Sequence, residues 1–136
     1  MKKVFFLFTL ILGTGLMACA QKTPPQAVLT AFNQKFSNVK EVEWGQEKNG
    51  EWEAELEQGG VDMSANFNAA GQWLETETEI KITDLPAPVQ AALTGKKVKE
   101  AAKIMRADGS TVYEAEVKHK DLLFDASGKL LSEAKD

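Results

Sequence analysis

Phe67-Asn68-Ala69-Ala70-Gly71-Gln72-Trp73-Leu74 returns later in the chain as Phe124-Asp125-Ala126-Ser127-Gly128-Lys129-Leu130-Leu131. Each stretch reads as the end of one strand, a short turn closed by glycine and the start of the next strand, because glycine reaches the left-handed backbone region without steric cost. Upstream, Trp52-Glu53-Ala54-Glu55-Leu56 returns as Tyr113-Glu114-Ala115-Glu116-Val117, and Val39-Lys40-Glu41 returns as Val98-Lys99-Glu100. The turn pair Asn49-Gly50 answers to Asp108-Gly109, and the spacing of Pro25, Val28 and Phe32 answers to that of Pro86, Val89 and Leu93. Self-similarity kept in one order along the chain marks a duplicated unit.

Each unit opens with a helix. Thr23-Pro24-Pro25-Gln26 offers a capping threonine, proline at the first helical position and glutamine where a capping box wants it. Val28, Leu29, Phe32 and Phe36 then line one stripe, which predicts a helix running to about Ser37. The second helix starts near Asp84-Leu85-Pro86, admits Pro88 in its first turn and ends at Gly95, so it is shorter. Strands follow with period two: Val42 and Trp44; Trp52, Ala54 and Leu56; Val61, Met63, Ala65 and Phe67, each alternating with polar residues. Asn49-Gly50 and Asp108-Gly109 mark hairpins whose turns need positive φ. The fold class is α+β, a tandem repeat of a helix followed by antiparallel strands, forming an antiparallel sheet with helices packed on one face. Residues 1–20 read as a leader, 21–82 as the first unit and 83–136 as the second.

The leader carries Lys2 and Lys3 ahead of an apolar run from Val4 to Leu12, closed by Gly13, Thr14 and Gly15 and a small-residue end, so it is a signal peptide rather than a membrane span. Leu16-Met17-Ala18-Cys19 fits a lipobox, which would make Cys19 a lipidated N-terminus. Ala18-Cys19-Ala20 also fits ordinary cleavage before Gln21. Cys19 is the sole cysteine, so no disulfide forms within the chain. The expected location is outside the cytoplasm, in the periplasm or on a membrane through a lipid anchor alone. Acidic residues number 20 against 16 basic ones, two of which leave with the leader. That balance argues against nucleic acid, whose affinity rests on Lys and Arg neutralising phosphates.

Phe36 at the end of a helix, Val42-Glu43-Trp44, the aromatic-x-Ala-x-aliphatic strand, the Phe-Asn/Asp-x-x-Gly-x-Trp/Leu-Leu turn and Leu85-Pro86-x-x-Val89 together resemble the PepSY-like family, also described as β-lactamase-inhibitor-like. The resemblance spans nearly all of the chain after the leader. It implies an exported, often lipid-anchored bacterial protein with tandem helix-plus-sheet repeats. By analogy it also implies a capacity to inhibit or modulate a peptidase or another enzyme.

Catalytic signals are missing from the sequence. His119 is the only histidine and reads as a partly covered structural residue near a strand end. No nucleophile is marked by a turn motif, and with Cys19 spent on export no thiolate metal site is expected. No metal or other cofactor is expected. Glu53 and Glu55, with Glu75, Glu77 and Glu79, alternate with apolar residues on what reads as an open, solvated face. Strand parity counted from Gly71 sets Trp73 among those carboxylates, as an exposed aromatic rimmed by charge; the other reading, with Leu130 at the matching place of the second unit, is that Trp73 covers neighbouring strands or that a bulge after Gly71 turns it inward. Trp73, Glu75, Glu77, Glu53 and Glu55 are therefore the expected contact residues for a protein partner in the envelope. The leading expectation is a non-enzymatic binding module; the alternative is a domain that senses a small ligand or metal ion.

Overall fold

A computed structural model describes residues 23–135. The expected signal peptide and Cys19 lie outside the described residues. Helix α1 (Gln26–Lys35) precedes strands β1 (Val42–Gln46), β2 (Trp52–Gln58), β3 (Val61–Phe67) and β4 (Trp73–Ile80). A 3-10 turn (Ile82–Asp84) and helix α2 (Ala87–Ala92) lead to β5 (Val98–Arg106), β6 (Thr111–Val117), β7 (Lys120–Asp125) and β8 (Leu130–Lys135). The eight strands form one antiparallel sheet and stand in chain order across it. The protein is α+β and mostly sheet.

The helix starts differ from the expected capping box. Pro25 is the N-cap of α1 and no side chain caps it; Val28 N and Leu29 N donate instead to the Pro25 carbonyl at 2.9 and 3.2 Å. Pro25 keeps Pro24 out of the helical region, which carries Thr23 away from the first turn. Phe36 takes an extended conformation and ends the helix. In α2, Pro86 is the N-cap and the helix is only six residues long.

Two apolar clusters fasten the helices to one face of the sheet. Val28, Phe32 and Phe36 pack on Trp52, Ala54, Leu56, Ala65 and Phe67. Phe32 is the aromatic hub, its ring centroid 5.1 Å from Phe36, 5.2 Å from Trp44 and 6.3 Å from Phe67, within the range where offset and edge-on rings attract. Leu85, Val89 and Leu93 pack on Ala101, Ala115, Val117, Leu122 and Phe124. The two halves repeat fine detail. Asn68 Oδ1 accepts from Ala70 N and Gln72 N, as Asp125 Oδ1 does from Ser127 N and Lys129 N. Gly71 and Gly128 each have φ +84°, and each turn lies against the backbone of its own helix, at Ala27 and Pro88 respectively.

Candidate functional site

Beyond each of these glycine turns the strand pairing slips by one residue. Phe67 pairs with Trp73 while Asn66 pairs with Glu75, and Phe124 pairs with Leu130 while Leu123 pairs with Ser132. Leu74 is the additional residue in the first bulge. A bulge resets the alternation of side chains between faces, so Trp73 falls on the helix-bearing face. This corrects the expected placement of Trp73 among the carboxylates. Its ring packs against the first apolar cluster, its Nε1 donates to Thr76 Oγ1 at 2.9 Å, and the Lys35 ammonium sits 3.6 Å from the ring centroid. His119 also differs from expectation: it is exposed in the β6–β7 turn, with φ +62°.

The other four expected residues share the helix-free face and come together. The register sets Glu53 opposite Asn66 and Asn66 opposite Glu75; one level along, Glu55 faces Ser64 and Ser64 faces Glu77. Strand β3 thus presents two short neutral side chains between two acidic strands. These residues line a depression of about 370 Å³, which continues across β5 to Ile104 and Arg106 and on to Glu114 and Leu123. Glu47, from the β1–β2 turn, also lines it.

The carboxylates are less solvated than the alternating pattern suggests. Burial, then the Glu47 and Glu55 carboxylates, push the Glu53 carboxyl up to about 7, and a hydrogen bond from the Ser64 side chain only partly offsets this. Burial also raises Glu55, with Glu43 adding to it; Glu43 and Glu55 stand directly opposite each other. Glu77 is raised well above its ordinary value, by burial first and then by Glu114, Glu53, Glu75 and Asp121. Its β5 neighbour is Ile104, whereas Glu75 has Arg106 opposite, with Nε 3.2 Å from Oε2.

Ile104 and Val112 are each only 4% exposed although both lie on the helix-free face, so part of this surface has an apolar floor. Sequence reading missed Glu47, Ser64, Asn66, Ile104, Arg106, Glu114 and Leu123 as site residues. The run Ala101-Ala102-Lys103-Ile104-Met105, apolar on both parities, was the available sign that β5 is covered on two sides. Among the described residues no group of three or more His, Cys, Asp or Glu is arranged to hold a metal ion. None of the described helices is long and apolar enough to cross a membrane.

The family model described as "Putative beta-lactamase-inhibitor-like, PepSY-like" matches residues 17–66 and 50–132. A BLIP-like protein from Bacteroides fragilis has a similar structure, with 26% identity, a TM-score of 0.70 and coverage of 85% of this chain and 89% of that one. A DUF2874 family protein from Bacteroides ovatus shares the fold at 21% identity and a TM-score of 0.74, over 84% of this chain and 89% of the other. A structure described as "putative periplasmic proteins", from Bacteroides eggerthii, does so at 17% identity and a TM-score of 0.76, over 84% and 90%. No curated protein matches the chain.

Proposed function

Because the chain belongs to the β-lactamase-inhibitor-like, PepSY-like family, we propose that it is an exported, non-enzymatic binding module that inhibits or modulates an envelope or extracellular enzyme of peptidase type. In this reading residues 21–82 and 83–136 are two copies of one helix-and-strands unit, joined into a single sheet whose helix-free face docks the partner. The matched turns and bulges of the two halves support the duplication. The leader and the periplasmic description of a structural neighbour support export, with Cys19 as the lipid anchor.

One observation carries the docking reading: helices close one face of the sheet, while the other holds a broad depression lined by carboxylates, with no helix over it among the described residues. Binding by such a face needs only complementarity. Catalysis by the raised Glu53 carboxyl would need a site from which water is excluded and a second group in a defined role, and a broad depression on a sheet face does not favour either. The carboxylates also suit the alternative of a cation sensor, which calorimetry with calcium, magnesium and zinc tests directly.

Pull-down from an envelope extract, with the anchor replaced by a tag, is the central experiment. Ser64→Trp fills the depression with bulk and no charge. The expected outcome is a captured enzyme whose activity falls on binding and whose capture is lost in Ser64→Trp. Turnover of a peptide or ester substrate by the purified chain would overturn the non-enzymatic reading.

A further inference from the structure

The depression has a shape that bears on its occupant. Neighbouring strands lie about 4.8 Å apart, so the carboxylates of β2 and β4 stand as two walls roughly 10 Å apart with β3 between them. The floor of this slot is Ser64 and Asn66, short and neutral. On the β4 side Arg106 engages Glu75, but Glu77 looks across to Ile104, and the charged groups acting on it are all acidic. A half-buried carboxyl with acidic neighbours and an apolar cross-strand partner is a costly arrangement in the free protein.

We propose that the slot receives a lysine- or arginine-bearing loop of the partner protein, with one cationic side chain lying over Ser64 between the Glu53, Glu55 and Glu77 carboxylates. The inference rests on the docking role given to the helix-free face. A cation in this position turns mutual repulsion into charge-assisted hydrogen bonds. Arginine suits the place better than lysine, because its planar fork can meet carboxylates on both walls. A neutral or acidic loop docked over the slot would strip water from the same carboxyls without compensation, so the slot also selects against wrong partners.

The test uses hexa-arginine amide and its neutral hexacitrulline counterpart as probes of the tagged chain, followed by amide shift mapping at low and moderate salt. Hexa-arginine is expected to shift the amides of Ser64, Asn66 and Glu77, with affinity falling at least tenfold in Glu53→Gln/Glu77→Gln and falling further as salt rises. Glu57→Gln, on the exposed end of β2, should bind as the parent does. Equal binding of hexacitrulline, or shifts spread over exposed acids such as Glu41 and Glu57, would overturn the proposal. The pull-down separates the two levels. Capture lost in Ser64→Trp but unchanged in Glu53→Gln/Glu77→Gln rejects the cationic loop while sparing the docking face. Capture unchanged in all of these variants rejects both.

Discussion

The Ala27 carbonyl oxygen lies 2.5 Å from the point that a Cβ on Gly71 would occupy, and Pro88 stands in the same relation to Gly128. Each glycine therefore does two things: it supplies a positive φ and it lets the helix backbone settle onto the turn. Gly109 has the same φ of +84° with open space around it. Gly109→Ala should cost about 1 kcal/mol, the backbone term alone. Gly71→Ala and Gly128→Ala should each cost clearly more, because backbone must move. Urea midpoints of the three variants check this, and equal losses would show that the helix contact is immaterial.

Trp52 is 5% exposed beneath α1, and truncating a buried aromatic costs about 3–5 kcal/mol. Trp52→Ala should therefore come close to unfolding a domain of ordinary stability, roughly 5–15 kcal/mol. Its counterpart Tyr113 is only half-buried, so Tyr113→Ala should be milder. A denaturation midpoint for Trp52→Ala matching the parent would contradict the packing described above.

Trp73 should behave as part of the helix-bearing face. In a variant that keeps Trp73 and changes Trp44 and Trp52 to Phe, acrylamide quenching should be weak while the chain is folded. Lys35→Met removes the cation above the ring, a contact of about 0.5–1 kcal/mol at an exposed site, and should shift the Trp73 emission. Quenching as efficient as that of the unfolded chain would return Trp73 to the open face.

Stability should fall as pH rises from acid toward neutral. Folding raises Glu53 from 4.5 to about 7 and also raises Glu77, so between those values the folded chain holds protons that the unfolded chain has lost. Stability contributed this way is full below the unfolded value and disappears as pH passes the folded one. At more acid pH the trend reverses. Hydrogen bonds from the side chains of Ser110 and Ser127 hold Asp108 and Asp125 below their ordinary 3.8, and that contribution is lost as they protonate. The melting temperature should be higher at pH 5 than at pH 8, and Glu53→Gln/Glu77→Gln should flatten the difference. Identical melting of the parent at both values would mean that these carboxyls stay solvated.

Cys19→Ser should abolish acylation, giving either soluble secretion or an uncleaved leader. Mass spectrometry of the mature N-terminus decides it, and an unmodified start at Gln21 would exclude the lipid anchor.

The strands and hairpins were legible because their causes are local. Alternation marks a half-covered strand, and Asn49-Gly50 and Asp108-Gly109 announce positive φ at Gly50 and Gly109, observed at +88° and +84°. The position of Trp73 was not, since parity counted through a turn fails when Leu74 is inserted as an additional residue. Leu130, an apolar residue at the matching place in the second half, was the available hint. The acidic slot was half legible. Alternation set Glu53 and Glu55 on one face, but their loss of water depends on which strands flank β3 and on Ile104 beyond β4, both matters of register between distant segments.

Strand order across the sheet is chain order, which bears on how the chain folds during synthesis, N-terminus first. Most connections between paired strands are short; the β4–β5 pair alone spans a longer one, through the 3-10 turn and α2. The first three strands and α1 therefore have all their partners before β5 appears, β4 has one of its two, and local pairing of this kind forms quickly. During that interval β4 is an uncovered edge, from Glu75 to Ile80, that later pairs with β5. The edge is a template for the second half. It is equally a template for any other strand within reach, so delayed emergence of β5 exposes the nascent chain to mispairing there.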